Sequence, residues 1–174
     1  KCQEPIFADG QSMLDAKPPF DKELLIRKSI ADTLLRAGDS AKAVEQLEKI
    51  RSLSREKNFP LASKFEKEVR DALAISYLRL GEQENCLAMH GEASCIFPLQ
   101  GAAIHKATRG AEGAIREFSA ALEQNSKDLK SRWLLNIAYM TKGEYPENVP
   151  TQWLIDPKAF ESEYDIKRFP EIAS

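Results

Sequence analysis

Apolar residues recur along the chain at intervals of three, four and seven, not two. The pattern therefore specifies amphipathic helices with one buried stripe rather than strands. Three segments share one arrangement: an arginine, an aliphatic residue, a small or polar residue, a large apolar pair, then a glycine followed by an acid. The copies are Arg27, Ile30, Ala31, Leu34, Leu35, Gly38 and Asp39; Arg70, Leu73, Ala74, Tyr77, Leu78, Gly81 and Glu82; and Arg132, Leu135, Asn136, Tyr139, Met140, Gly143 and Glu144. Each stripe stops at its glycine. Glycine alone readily takes the left-handed conformation that ends a helix, so the pattern predicts turns at Gly38, Gly81 and Gly143. The acid that follows suits the positive start of the next helix.

Further stripes follow the glycines. Ala43, Leu47 and Ile50 lie on one inside Ser40–Glu56, and Gly110, Ala114, Phe118, Ala121 and Leu122 mark another. Counting Gly110 as a fourth turn, the spacings scatter around the ~34 residues of a tetratricopeptide (TPR) unit. The chain therefore resembles a TPR array over roughly residues 22–143: an all-α fold, an irregular superhelix of right-handed helical hairpins. Residues 1–21 form an N-terminal extension, and 144–174 a proline-rich C-terminal extension. Arg27, Arg70 and Arg132 stand where a large aromatic often opens the unit, and Arg55 and Ser126 near where a proline often closes it. The small contact positions Ala43 and Ala114 are kept, with Cys86 at the matching place in the second unit.

The helices expected are Lys22–Ala37, Ser40–Lys57, Leu61–Leu80, Glu82–His90, Ala102–Thr108, Ala111–Gln124 and Leu129–Lys142. Asn58-Phe59-Pro60 reads as a turn, and Gly91–Gly101, broken by Pro98, as irregular. Pro146, Pro150, Pro157 and Pro170 rule out one long helix beyond Glu144. Trp153, Phe160, Tyr164 and Phe169 are too many large rings for a solvated tail. They are expected to pack back on the array or on another body.

Composition narrows the partners. The chain has 174 residues, a net charge of −2 and a pI of about 5.8, which offers no basic face for nucleic acid. No run approaches the ~18 apolar residues of a transmembrane helix. The opening Lys1-Cys2-Gln3-Glu4-Pro5 lacks the apolar core of a secretory signal, as a trimmed mature protein also would. Cys2 invites comparison with a lipid-attachment cysteine, although Lys1 occupies the place where a small residue normally precedes one.

A closer resemblance rests on two stretches. One is Gly81-Glu82-Gln83-Glu84-Asn85-Cys86 with Glu92-Ala93-Ser94-Cys95-Ile96-Phe97-Pro98-Leu99-Gln100-Gly101 and His105. The other is Ser131-Arg132-Trp133-Leu134-Leu135-Asn136-Ile137-Ala138-Tyr139-Met140 with Gly143-Glu144-Tyr145-Pro146 and Trp153-Leu154-Ile155. Together they resemble the N-terminal TPR-like region of bacterial FG-GAP-repeat proteins of the ASPIC/UnbV type, relatives of cartilage acidic protein. The likeness covers residues 70–174 well and the first part loosely. Arg168-Phe169-Pro170-Glu171-Ile172-Ala173 looks like the lead-in to that family's propeller. The propeller's Asp-x-Asp-x-Asp-Gly calcium loop is nowhere in the chain, so no calcium role carries over. The resemblance implies a periplasmic, cell-surface or secreted bacterial protein, with this chain as its helical N-terminal module.

Three chemistries compete for the cysteines and histidines. Cys86 and Cys95 would form a short-range disulfide in an oxidising compartment, or stay as two small buried thiols. Cys86 and His90, four apart on one helical face, could join Cys95 and His105 in a metal or redox site, although the spacing matches no common zinc finger. Oxidation and metal binding exclude each other at one cysteine pair. No Gly-x-Ser-x-Gly, P-loop or dinucleotide fingerprint occurs, and one turn of a repeat helix makes a poor catalytic cleft. The expectation is a non-enzymatic module needing no cofactor.

In a TPR array the first helices of successive units line a binding surface. By their offsets Lys28, Asp32, Leu35 and Arg36 face it from the first unit, Asp71, Ile75, Leu78 and Arg79 from the second, and Trp133, Ile137 and Met140 from the last. Mixed charge over an apolar floor suits a protein, an extended peptide, or the downstream propeller of the same chain. A carboxylate clamp of the TPR kind uses Lys and then Asn four residues on. Here Lys28 is followed by Asp32, which repels a carboxylate. Arg27, Arg70 and Arg132 are expected to form salt bridges with Asp or Glu of neighbouring helices rather than to bind ligand.

Overall fold

Six α-helices and two short 3-10 turns account for the regular structure of the described residues, 4–89 and 98–160, of the computed structural model; no strand occurs among them. The helices are α1 (Glu4–Asp15), α2 (Phe20–Ala37), α3 (Ser40–Glu56), α4 (Ser63–Met89), α5 (Arg109–Gln124) and α6 (Leu129–Lys142). The 3-10 turns are Gly101–Ala103 and Pro157–Phe160. Each helix packs chiefly on its neighbours in sequence, which is an α-helical, repeat-like arrangement.

Two of the expected helix stops form as the pattern requires. Gly38 (φ +84°) and Gly143 (φ +70°) are left-handed. At the first, the N–H groups of Gly38 and Asp39 return to the carbonyls of Leu35 and Leu34 at 3.2 and 2.9 Å. At the second, those of Gly143 and Glu144 return to Met140 and Tyr139 at 2.9 and 3.0 Å. Asp39 then caps α3, its side chain accepting from the Lys42 N–H at 3.2 Å. Asp128 caps α6 in the same way, through Ser131 N–H at 3.1 Å.

Gly81 departs from the expectation. It does not end a helix: α4 runs through it to Met89, 27 residues in all. Gly110 is no turn either but the second residue of α5. The two glycines meet instead. A Cβ on Gly110 would collide with the Gly81 backbone and lie 2.7 Å from the Tyr77 carbonyl oxygen. Gly110 is required by this backbone-to-backbone approach, not by backbone conformation, whereas Gly81 has room for a methyl group. The predicted helices Glu82–His90 and Ala102–Thr108 are therefore not separate elements. The first belongs to α4 up to Met89, and the second is a single 3-10 turn followed by irregular chain.

The hairpins are accordingly α2 with α3 and α4 with α5. The third first-helix, α6, has no helical partner after it among the described residues; the segment Tyr145–Phe160 folds back on it. The N-terminal extension holds α1, which lies against α2 with Gly10 beside Ile30. The core is continuous. Leu24, Ala31, Leu47, Ile50, Val69 and Leu73 join α2, α3 and α4. Ala74, Leu78, Ala114, Phe118, Leu122, Leu135, Ala138 and Trp153 join α4, α5, α6 and the C-terminal segment. Tyr77 touches both groups. The small positions Ala43 and Ala114 are fully buried. Among the described residues, no helix is long and apolar enough to cross a membrane.

Candidate functional site

The three repeated arginines are struts. Arg27 donates to Glu23, one turn back, at 2.8 Å and to Gln46 of α3 at 3.0 Å. Arg70 repeats the plan, donating to Glu66 at 2.7 Å and to Gln124 of α5. In both hairpins an arginine of the first helix thus grips a glutamine of the second. Arg132 has no second helix to grip among the described residues. It donates to the backbone carbonyls of Trp153 and Leu154. The C-terminal segment stands where a partner helix would. Asn136 completes this clamp: its Nδ2 donates to Trp153 O at 2.9 Å, and its Oδ1 accepts from Ile155 N–H at 3.0 Å. Tyr145 Oη adds a bond to Ile155 O at 2.7 Å.

A polar seam joins the two hairpins. Arg51 of α3 forms two bonds with Glu117 of α5, and Arg116 adds a third to the same carboxylate at 3.0 Å. Tyr77 Oη donates to Glu48 at 3.0 Å. Burial, reinforced by that carboxylate, holds the Tyr77 phenol above its ordinary pKa. A cleft of about 340 Å³ lies beside this seam, lined by Val44, Glu45, Tyr77, Leu80, Arg109 and Arg116 among others.

On the first-helix face the sequence-derived set divides. Lys28 and Asp32 bind each other at 2.7 Å, and Asp71 binds Lys67 at 2.6 Å, so their charges are met on their own helices. Asp71 also lines a cleft of about 310 Å³ between α4 and the start of α6, with Lys67, Phe118, Asp128, Lys130 and Ser131. Arg36 and Arg79 are exposed. Ile75 and Ile137 are half-buried against the same core group, and Leu35 packs against Ile30, Leu34 and Ala43.

Two members of the set are not surface residues. Leu78 is 7% and Met140 1% exposed. Leu78 belongs to the α4–α5–α6 core, because α5 covers the flank of α4 that the offsets assign to the surface. Met140 is closed over by Leu99 and Ala103 from the α4–α5 connection. Trp133 stays 41% exposed, but Phe160 stacks on it with ring centres 4.7 Å apart. That stacking and the buried Trp153 account for two of the four C-terminal rings; Tyr164 and Phe169 lie outside the described residues.

Of the cysteine–histidine set, His90 and Cys95 lie outside the described residues, as does Cys2. Cys86 falls within α4. His105 is held by its backbone N–H to Thr141 O at 2.8 Å, and its buried Nδ1 has no hydrogen-bond partner among the described residues. Burial pulls the imidazole below its ordinary pKa. No cluster of three or more metal-binding side chains occurs among the described residues.

Several residues that organise this architecture escape a sequence reading. Glu117, 3% exposed at its side chain, looks on sequence like any helical acid. Asn85 satisfies both ends of its amide, accepting from the N–H groups of Lys106 and Ala107 at 2.7 and 2.9 Å and donating to Gly81 O and Ala107 O. Asn136 carried a signal, since it occupies the stripe position held by Ala31 and Ala74 in the other copies. Comparison with family models, with curated proteins and with solved structures finds no match to the chain.

Proposed function

We propose that the chain is a non-enzymatic interaction module of the TPR-like kind, holding a polypeptide along the face shared by α2, α4 and α6. The observation that carries this reading is the repeated strut. Arg27–Gln46 and Arg70–Gln124 spend the repeat arginines on holding hairpins together. Exposed Arg36 and Arg79 and half-buried Ile75 and Ile137 remain for a partner. Mixed charge over an apolar floor suits an extended peptide or an adjoining domain better than a small polar molecule. The resemblance to the ASPIC/UnbV type supports a propeller as that domain and a periplasmic, cell-surface or secreted setting.

The test is selection from a displayed library of random peptides on the whole chain, followed by binding to Arg79→Glu and Arg36→Glu variants. Both sites are exposed, so the fold should survive. Affinity should fall at least tenfold, about 1.4 kcal/mol. Affinity unchanged from wild type in both variants counts against the face.

A second reading, a metal or redox site of Cys86, His90, Cys95 and His105, is favoured by one observation: the buried Nδ1 of His105, which has no partner among the described residues. Metal analysis with a free-thiol count on unreduced protein separates the cases. One zinc per chain with all thiols reduced supports it; fewer free thiols than the three cysteines of the chain supports a disulfide.

A further inference from the structure

The segment after α6 is held in two unlike ways. Residues 153–155 are nailed to α6 by hydrogen bonds with Arg132 and Asn136, and Tyr145, just beyond the helix, donates one more to Ile155 O. Residues 156–160 receive no such bonds among the described residues. Their hydrogen bonds are internal: Ala159 N–H to Asp156 O at 2.8 Å and Lys158 N–H to Asp156 Oδ1 at 2.9 Å. What holds this piece to the body is the ring of Phe160. It stacks on Trp133 at 4.7 Å with planes 33° apart, and meets Tyr145 edge-on at 5.7 Å. It also packs beside Met140, Leu99 and Ala103.

An anchored segment followed by a piece held through one aromatic side chain is the construction of a latch. Hydrogen bonds to buried backbone are costly to leave unmade. A half-exposed ring contact exchanges readily for another ring of the same shape. The place that Phe160 occupies is the α6 end of the first-helix face, over Trp133.

We propose that Phe160 is a displaceable latch. In the free chain it fills the Trp133 end of the binding face. When a polypeptide binds, residues 156–160 swing away about the fixed 153–155 anchor, and an aromatic side chain of the partner takes the place of the Phe160 ring. This rests on the reading of the face as a polypeptide site. The competition lowers the apparent affinity for any partner until the latch is released.

The probe is 8-anilinonaphthalene-1-sulfonate, an aromatic anion that fluoresces in apolar sites. It is titrated into the wild-type chain, Phe160→Ala, and Phe160→Ala with Trp133→Ala, each checked for cooperative thermal unfolding. Phe160→Ala should bind the dye at least fivefold more tightly than wild type while still melting cooperatively, and adding Trp133→Ala should abolish the gain. Unchanged dye binding overturns the latch. So does a gain that survives loss of Trp133, or one that comes with loss of cooperative melting, because the dye would then report a loosened core. As a second measurement, acrylamide quenching of Trp133 in a Trp153→Phe background should rise on Phe160→Ala; equal quenching overturns the proposal. Failure of the underlying reading looks different: the dye result holds, yet no library peptide is selected on this face. That outcome overturns the polypeptide as occupant and leaves the motion supported.

Discussion

Arg51 of α3 and Glu117 of α5, 66 positions apart, meet through two parallel hydrogen bonds of 2.9 and 2.7 Å. The glutamate side chain is 3% and the arginine 23% exposed. This pair ties the second helices of the two hairpins, adding a polar link to the apolar packing of α3 on α4 that joins them. Removing one partner leaves a buried charge with Arg116 as its remaining neighbour. Arg51→Met should cost about 2–3 kcal/mol, near the low end for a broken buried pair because Arg116 stays. Replacing both residues by methionine should cost less than the two single changes added together. Urea denaturation of the four proteins of this cycle measures the coupling, expected at about 1 kcal/mol or more.

The two glycines of the α4–α5 crossing should respond oppositely. A Cβ on Gly81 meets nothing closer than 3.5 Å and would sit in regular helix. Gly81→Ala should be neutral or stabilise by up to about 1 kcal/mol. Gly110→Ala drives a methyl into the Gly81 backbone and should cost about 2–3 kcal/mol. Thermal melts decide it. A clear loss of stability for Gly81→Ala would restore Gly81 as a left-handed turn.

Asn136 is fully buried and holds both the carbonyl of Trp153 and the N–H of Ile155. Asn136→Ala should cost about 2–3 kcal/mol through the orphaned backbone groups. It should also red-shift Trp153 emission as the C-terminal segment loosens. Arg132→Ala should act in the same direction.

Acid should weaken the fold in two steps. Burial depresses the His105 pKa, so the unfolded chain takes up the proton first. Its share of stability is complete above the unfolded value near 6.5 and is lost as pH falls through the lower folded value. Burial alone would raise Asp39 and Asp128, but hydrogen bonds from Lys42 and from Ser131 outweigh it and hold both below 3.8. Their share is present above 3.8 and is lost as pH falls below it. Denaturation midpoints between pH 7.5 and 5.5 should decline in wild type and decline less in His105→Gln.

Much of this helical plan was legible because it is local. The stripes, the left-handed glycines at 38 and 143, and the acid that caps α3 follow from neighbours within a few residues. Gly81 misled because a glycine inside a helix, facing another backbone, reads the same as one that ends a helix. Only its partner Gly110, 29 positions on, tells the two apart. Reading Gly110 as a turn then added a unit that does not exist. Leu78 and Met140 were misplaced for a related reason: helical offsets give a face, but whether α5 or the Leu99–Ala103 segment covers it is a tertiary fact. Glu117 and Asn85 gave no signal, since their partners lie far off in the chain. The expected salt bridges to acids of neighbouring helices do not form: Arg27 and Arg70 pair with Glu23 and Glu66 of their own helices and meet Gln46 and Gln124 across the hairpin, and Arg132 holds backbone carbonyls.

The central claim is that polypeptide binds across α2, α4 and α6. Amide hydrogen exchange of the chain with and without a library-selected peptide addresses it most directly. Slower exchange is expected along residues 28–36 of α2, 71–79 of α4 and 129–137 of α6 when peptide is present, with α3 unchanged. Protection confined to α3 and α5, or none at saturating peptide, would contradict it.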